Sequence, residues 1–398
     1  MLSSLTWLDQ DSTARDRSLR ILALFQEKES RDELGIGAIR DAISDRLFPG
    51  TSTIQTRLRY MLIIPWMYQR LEDERVSARE FSARARKDEL ALTRPLLDAG
   101  AEGVFGRVAQ GALKRLPSSV YWAGLGAWSI RRFAGPQSDY HRAVDTLYAR
   151  RDRARKRDND DDVQHDPSLV TWHSGLPKAP EGFPDTVDLT LRPEEGSFLV
   201  DCIRATHRES LLGWLVLNGE PDDTDAPWGH HQHGSFPLPM RTLLHHARLF
   251  ADLVEGAARV YNIALAVQRG DTALAGDHRA ELARWQERCD WAALGDWSLD
   301  MFWDEVTTPN HTITTPTRRF VEAFLERMRT CKGDVGADPV THDLVRARER
   351  SLKGSRSRFD NKGALDRWGG SSGTGRLVYR WTIARRFLAD LYPALGRS

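Results

Sequence analysis

The chain has 398 residues, of which 40% are hydrophobic and 28% charged, and its formal net charge is +1. This composition indicates an ordinary soluble protein that is long enough for two or three domains with cores of their own. The near-neutral total excludes a global electrostatic field that favours nucleic acid or membrane, so any such preference must come from local patches of charge.

Cysteine usage and hydropathy predict a cytoplasmic protein. The three cysteines, Cys202, Cys289 and Cys331, are far apart and odd in number, which indicates a reducing compartment without a disulfide framework. The N-terminus shows no basic region followed by a long apolar core, so no secretory signal is expected. The longest apolar run, residues 60–68, is far too short to span a membrane.

Hydrophobic residues recur at helical spacing through most of the chain, which predicts a mainly α, multi-helical fold with two or three helical domains and little or no sheet. Helices are expected at residues 12–29, 77–99, 102–116 and 137–157, and one short strand at 187–191. The expected organisation is an N-terminal helical domain at 1–158, an irregular linker at 159–191, a second helical domain at 192–332, and a basic C-terminal segment with a final helix at 333–398.

Residues 37–70 predict a pair of helices that resembles a helix-turn-helix. Pro49 and Gly50 should end the first helix, and Ser52 followed by Gln55 fits a capping box that would begin the second. A second helix in such a pair can enter the DNA major groove. Gln55, Arg57 and Arg59 on its exposed start are therefore candidate nucleic-acid contacts, although helix pairs with short turns usually only pack together.

Positive charge is concentrated near the end of the chain. Residues 346–386 contain twelve Lys or Arg and three acidic residues, about +9 in a chain whose total is +1. Gly and Ser residues are interspersed with these cations, so the segment is suited to wrapping a phosphate backbone. The candidate contacts here are Lys353, Arg356, Arg358, Lys362, Arg367 and Arg376. The alternative is a flexible basic loop that precedes a docked helix.

Two aromatic residues and a glycine-rich run belong to this basic segment. Phe359 and Trp368 would either stack on bases or pin the loop to the protein. The run GGSSGTG at residues 369–375 lacks the GxxxxGK[ST] order of nucleotide-hydrolysing phosphate loops, so nucleotide hydrolysis is rejected.

Histidines form the one metal-like cluster in the sequence. His230, His231 and His233 lie in the loop sequence WGHHQHG, and His245 follows on the next helix. Zinc sites usually have fixed spacings such as HExxH or paired cysteines, and this loop matches neither. An exposed histidine-rich loop explains the pattern as well, so no metal or other cofactor is expected.

Residues 5–11 (LTWLDQD), residues 47–72 (LFPGTSTIQTRLRYMLIIPWMYQRLE), residues 117–133 (PSSVYWAGLGAWSIRRF) and the Arg- and Gly-rich tail resemble an uncharacterised bacterial family of about this length. The resemblance covers most of the chain. It implies an association with anti-phage defence gene clusters, alongside helicases and phospholipase-D-like nucleases. The family has no established activity or catalytic residues, so the resemblance implies a DNA-related accessory subunit and no particular chemistry.

The sequence therefore leaves three hypotheses. The first is a non-catalytic subunit that binds DNA through the basic segment within a defence assembly that includes a helicase or nuclease. The second is a scaffold that holds other subunits through tryptophan-rich faces without touching nucleic acid, because thirteen tryptophans, among them Trp285, Trp291, Trp297 and Trp303, are a high count. The third is a metal-dependent hydrolase that uses the histidines of residues 230–246.

Overall fold

The protein is built from α-helices joined by irregular segments. The computed structural model describes residues 32–107, 115–157, 169–331 and 333–397. The helices in the first part of the chain are α1 (Gly37–Leu47), α2 (Tyr60–Asp73), α3 (Ala78–Ala91), α4 (Thr93–Asp98), α5 (Pro117–Ala127), α6 (Gln137–Arg157), α7 (Pro193–His207) and α8 (Leu211–Asn218). They are followed by α9 (Leu238–Arg269), α10 (Thr272–Arg288), α11 (Trp291–Gly295), α12 (Leu299–Val306), α13 (Thr315–Thr330), α14 (Pro339–Lys353), α15 (Lys362–Asp366) and α16 (Trp381–Ala394).

The mainly α fold class is confirmed, since the described residues contain isolated β-bridges and no sheet. The strand predicted at residues 187–191 is wrong. Val187, Leu189 and Leu191 are buried, as the alternating pattern indicated, but the backbone has no neighbouring strand with which to pair and stays irregular.

The described residues cluster into two compact units, each assembled from separated stretches of the chain. One unit combines the described residues up to Ile43 with His245–Leu377, and the other combines Ser44–Leu244 with Val378–Ser398. We call them the α9 unit and the α2 unit after a helix at the core of each.

An aromatic cluster forms the core of the α2 unit around a buried carboxylate. The rings of Tyr68, Tyr140 and Trp172 pack together at centroid distances of 5.7–6.0 Å. Glu72 lies beside this cluster and accepts hydrogen bonds from Trp172 Nε1 (3.0 Å) and from Arg151 Nη1 (2.6 Å). These hydrogen bonds compensate the carboxylate for the loss of hydration on burial, as a buried charge requires.

Helix α9, from His245 onward, forms the core of the other unit. Its apolar positions recur at helical spacing, and most of the residues from Leu249 to Ala266 are buried. At Gly256 the absence of a side chain lets the indole of Trp285 approach, because a Cβ there would lie 2.4 Å from the ring. The small residue therefore fixes how closely α10 packs on α9.

The predicted helix-turn-helix is wrong in its second half. α1 ends at Leu47, but the next helix begins at Tyr60, so that twelve irregular residues separate the two helices. Gln55 does accept a hydrogen bond from the backbone N–H of Ser52 (2.9 Å), which is half of a capping box, yet it closes a turn and not a helix. The polar residues of this connection satisfy its own backbone, which removes the tendency to start a helix there.

Other expectations are partly met. α6 has the predicted bounds, and residues 77–99 form α3 and α4, which are separated by Leu92. The helix expected at 102–116 is wrong for the described residues 102–107, which form turns. The first predicted helix, residues 12–29, lies outside the described residues.

Within the described ranges, no helix combines the length and the apolar composition that crossing a membrane requires.

Candidate functional site

Arg59, one of the candidates near the N-terminus, is a buried structural residue. Its side chain is 1% exposed and forms a two-pronged ion pair with Glu195, with Nη2–Oε1 at 2.7 Å and Nε–Oε2 at 2.9 Å. Nη1 lies 2.7 Å from a carboxylate oxygen of Asp188. All three guanidinium nitrogens are thereby engaged, and none is directed at a solvent phosphate.

Gln55 and Arg57 are also engaged within the α2 unit. Gln55 is buried and donates to the carbonyl oxygen of Gly50. Arg57 Nη2 lies 2.8 Å from a carboxylate oxygen of Asp390, and the same carboxylate accepts from the backbone N–H of Leu58. These contacts hold the irregular connection between α1 and α2 in place, so the polar character that suggested DNA contacts has a structural use.

Lys353 and Arg358, two candidates of the C-terminal basic segment, neutralise buried carboxylates. Lys353 forms ion pairs with Glu33 and with the fully buried Glu349, and Arg358 Nη1 lies 2.9 Å from Glu33. Arg358 also donates to the hydroxyl of Tyr261, which in turn donates to Glu349 at 2.8 Å. Burial and the two nearby carboxylates raise the pKa of Tyr261 well above its ordinary value, so its proton stays in this network.

Arg376 is held in the same way. Its Nη2 lies 2.8 Å from a carboxylate oxygen of the buried Asp252 on α9. Burial raises the pKa of Asp252, and the nearby guanidinium opposes that shift. Arg356, at the end of the short turn Gly354–Arg356, is exposed but already has an interaction partner.

Lys362 and Arg367 differ from the other candidates of the basic segment. Lys362 begins α15 and Arg367 directly follows its last residue, and both are exposed. No other described residue forms an ion pair or hydrogen bond with either side chain. One exposed acid, Asp366, lies next to Arg367, so the local excess is one positive charge.

The loop that follows α15 is anchored firmly to α9 and α10. Asn262, fully buried on α9, accepts from the backbone N–H of Ser372 (2.8 Å) and donates to its carbonyl oxygen (2.7 Å). His278 Nε2 lies 2.8 Å from the carbonyl oxygen of Gly370. Arg269 donates to the carbonyl oxygen of Trp368 and places its guanidinium 4.7 Å from the centre of that indole. The loop is therefore held in one conformation by buried groups.

Exposed and half-buried residues of this loop carry backbone hydrogen-bond donors that are not in use within the described part of the chain. The backbone N–H groups of Ser371, Gly373, Thr374 and Gly375 have no acceptor among the described residues. The hydroxyls of Ser371 and Thr374 bond to one another at 2.9 Å at the surface. We call α15 with residues 367–375 the α15 loop. Its two unpaired cations and free N–H groups can donate to phosphate oxygens.

The two aromatic residues of the segment pin the loop and do not offer stacking faces. Phe359 is 5% exposed and Trp368 is 3% exposed. The ring of Phe359 packs edge-on against Tyr261, and that of Trp368 stacks on His278. Base stacking on these residues, one of the two expectations, would require the loop to unfold.

In the α2 unit, the ring of His231 lies between two carboxylates. Its Nδ1 lies 2.8 Å from Asp222 and its Nε2 lies 3.3 Å from Glu220. These hydrogen bonds, that to Asp222 first, raise the pKa of His231. Burial alone would raise the pKa of Asp222, but hydrogen bonds from Thr224 and His231 outweigh it and hold that pKa below its ordinary value.

Asp222, His230 and His231 could hold a metal ion by proximity, since one ligand atom from each lies within 4.8 Å of the others. His233 and His245 do not belong to this group. The Nδ1 lone pair of His230 is in use, however, because it accepts from the backbone N–H of Gln232 at 3.1 Å. The Nδ1 of His231 donates a proton to Asp222 and therefore has no lone pair to offer. The two imidazoles are stacked with an angle of 20° between their planes, so their in-plane lone pairs lie in separate, nearly parallel planes and do not converge on one ion.

The tryptophans that suggested interaction faces pack mostly inward. Trp285, Trp297 and Trp303 are buried, and Trp291 is half-buried. Each indole N–H has an acceptor within the protein, for example the carbonyl oxygen of Asp252 for Trp285 at 2.8 Å. These four side chains stabilise the α9 unit from inside.

Sequence reasoning missed the residues that act as partners. Asn262 lies 110 residues from Ser372, and Asp222 lies nine residues from His231 across an irregular loop. No periodic pattern connects such pairs. A buried Asn within an otherwise apolar helix stripe is the one local signal that indicates a specific polar contact.

A family model described as a family of unknown function (DUF6361) matches residues 2–395, and the chain belongs to this family. No match to the chain was found among curated proteins or among solved structures.

Proposed function

We propose that this member of the DUF6361 family is a non-catalytic subunit that binds the phosphate backbone of nucleic acid, with DNA as the expected form, through the α15 loop. The observation that carries the proposal is the combination of two unpaired cations, Lys362 and Arg367, with free backbone N–H groups on a loop anchored by Asn262. Backbone N–H groups and Lys or Arg side chains are the usual donors to phosphate oxygens.

Fewer cations of the basic segment are available for phosphate binding than its charge count suggests. Lys353, Arg358 and Arg376 have carboxylate partners, so their charge is compensated within the protein. Two unpaired cations neutralise about two phosphates, which supports weak binding without sequence preference. Weak binding suits one contact surface within a larger assembly, where linked contacts reinforce one another.

The proposed setting is the one that the sequence resemblance implies, a defence assembly that contains a helicase or a nuclease. In such an assembly the α15 loop would hold the nucleic acid while a partner performs the chemistry. Purification of the chain together with the products of neighbouring genes tests this part. Stable complexes that bind no nucleic acid would favour the scaffold hypothesis instead.

The test of the binding itself is fluorescence anisotropy with a labelled DNA duplex and a labelled single strand at low salt. The double variant Lys362→Ala/Arg367→Ala is expected to weaken binding about tenfold or more, because two phosphate contacts are lost. Lys87→Ala/Arg386→Ala is the matched control, since it removes one Lys and one Arg of the α2 unit that are exposed and have no ion pair with any described residue. Equal loss in both variants, or no loss in either, would remove the α15 loop from the proposal.

A further inference from the structure

A pocket in the α2 unit lies between the loop at residues 220–230 and helix α16. Its volume is about 220 Å³. Apolar groups of Trp381, Leu388, Ala389 and Pro393 form much of its wall. Apart from Pro221, the remaining lining is polar or charged: His230, Arg385, Arg397, Glu220, Asp222 and Tyr392. A small apolar cavity with a few converging polar groups is the usual form of a ligand site.

His230 contributes a buried donor that has no partner. The side chain is 1% exposed, and its Nδ1 accepts a hydrogen bond from the backbone N–H of Gln232. In the neutral ring the proton must then be on Nε2. Burial lowers the pKa of His230, which favours this neutral form. Nε2 is buried and has no hydrogen-bond partner among the described residues, and a polar group in this state is destabilising until something binds it.

The two arginines of the pocket carry charge that no carboxylate compensates. Arg385 donates to the backbone carbonyl oxygens of Asp223 and Thr224, and Arg397 donates to those of Val216, Leu217 and Gly219. Within the described ranges, neither guanidinium has a carboxylate oxygen at ion-pair distance. Each retains N–H groups and a full positive charge beside the cavity.

The two carboxylates of the pocket, in contrast, already have a hydrogen-bond partner. Asp222 and Glu220 lie on either side of the ring of His231, which bonds to both. What remains for a ligand is therefore one neutral N–H donor, two guanidinium groups and an apolar wall.

We propose that this pocket binds a small organic anion, with a carboxylate or phosphate head that accepts from His230 and Arg385 and an apolar body that packs against Trp381. Charge-assisted hydrogen bonds from guanidinium groups are well suited to both kinds of head group. The inference does not depend on the α15 loop, because every residue named here belongs to the α2 unit.

The test uses the full chain and four probes: benzoate, phenyl phosphate, inorganic phosphate and Zn²⁺, each measured by calorimetry and by the shift of the unfolding temperature. Benzoate or phenyl phosphate is expected to bind with a dissociation constant of about 1 mM or lower, since a small ligand with one anchored head can reach that range. Inorganic phosphate should bind more weakly, because it lacks the apolar body. Preference between the first two probes identifies the head group.

Two neighbouring arginines provide a matched pair of variants. Arg385 lines the pocket, whereas Arg386 is exposed and does not line it. Arg385→Gln should weaken probe binding about tenfold or more, and Arg386→Gln should leave it unchanged. His230→Phe keeps a ring of similar shape but removes the donor, and should weaken binding as well. If the His230→Phe protein does not fold, the comparison of Arg385→Gln with Arg386→Gln still tests the proposal.

Three results would overturn the proposal. The first is no binding of either aromatic probe up to about 10 mM. A dissociation constant of that size corresponds to a binding free energy of only about −3 kcal/mol. The second is binding that Arg385→Gln and Arg386→Gln affect equally. The third is stoichiometric Zn²⁺ binding that His231→Gln abolishes, which would make the cluster a metal site.

Discussion

Asn262 exchanges two hydrogen bonds with the backbone of Ser372, at 2.8 Å and 2.7 Å, from a position in α9 that is fully buried. A side-chain amide has the same donor and acceptor as a backbone peptide group, so this pairing reproduces one rung of a β-ladder. It holds the middle of a Gly- and Ser-rich run that would otherwise lose much conformational entropy on ordering. The exposed donors of the α15 loop depend on this anchor.

Substitution of Asn262 by Leu is expected to loosen the loop without removing charge. The variant leaves the N–H and carbonyl groups of Ser372 without partners, at a cost of about 1–3 kcal/mol in the free energy of unfolding. Hydrogen exchange should accelerate in residues 369–375, and nucleic-acid affinity should fall. Asn218→Leu is the control, because that amide is exposed and, among the described residues, donates only to the carbonyl oxygen of Trp214. Unchanged exchange in Asn262→Leu would show that the anchor is dispensable.

Arg59→Met is expected to destabilise the protein and to leave nucleic-acid affinity unchanged. Removal of the guanidinium leaves Glu195 buried without a counter-charge, which costs about 3–5 kcal/mol. The double variant Arg59→Met/Glu195→Leu should recover part of that loss, because no buried charge remains unpaired and Asp188 is half-exposed. Denaturant unfolding provides the free energies. A stable Arg59→Met protein with weakened DNA binding would instead restore Arg59 as a nucleic-acid contact.

Substitution of Lys353 is expected to lower stability without changing DNA affinity, and substitution of Lys362 is expected to do the reverse. Lys353→Met removes the ion pairs with Glu33 and Glu349 and should lower the unfolding free energy by about 1–3 kcal/mol. Lys362→Met, at an exposed position, should change it by less than about 0.5 kcal/mol. Affinity for DNA should fall only in Lys362→Met. Thermal unfolding and fluorescence anisotropy on the same samples measure the two effects. If Lys353→Met weakened DNA binding and Lys362→Met lowered stability, the division of the basic segment into structural and binding cations would be refuted.

Glu89 should make stability depend on pH. Burial raises its pKa from 4.5 to about 7, although the N–H and hydroxyl of Ser118 donate to its carboxylate. Below pH 4.5 both the folded and the unfolded state hold the proton. As the pH rises towards 7 the unfolded state releases it first, so stability falls by about 3 kcal/mol and then levels off.

The measurement for Glu89 is the difference in unfolding free energy between wild type and Glu89→Gln across pH 4–8. A difference is required because His141 has the opposite effect: burial lowers its pKa to about 4, so its contribution to the free energy of unfolding decreases as the pH falls. The variant cannot ionise at this position, so the contribution described above should vanish. Parallel pH curves for the two proteins would exclude Glu89 as its source.

Local sequence patterns predicted the helices well, but they did not predict which charged residues form ion pairs with one another. The bounds of α6 follow from the local sequence, because an amphipathic stripe and a proline directly before the helix are local features. The structural use of Arg59 depends on Glu195, 136 residues away, and that of Lys353 on Glu33, 320 residues away. Charge counting along the sequence cannot detect such pairing, and so the basic segment looked more available than it is.

The connection between α1 and α2 shows the same limit at short range. Ser52 and Gln55 have the spacing of a helix start, and one of the two expected hydrogen bonds forms. The hydroxyl of Tyr121 accepts from the backbone N–H groups of Thr56 and Arg57, at 2.9 Å and 3.0 Å, and this contact holds the chain in an irregular path. Here a tertiary partner overrides a local preference.

The salt dependence of DNA binding tests the role of the α15 loop most directly. The logarithm of the association constant should fall linearly with the logarithm of salt concentration, and Lys362→Ala/Arg367→Ala should make that slope shallower by about 2. The slope should not change in Lys87→Ala/Arg386→Ala. A double variant of the α15 loop whose slope equals that of the wild type would show that neither cation contacts a phosphate, and would contradict the proposed function.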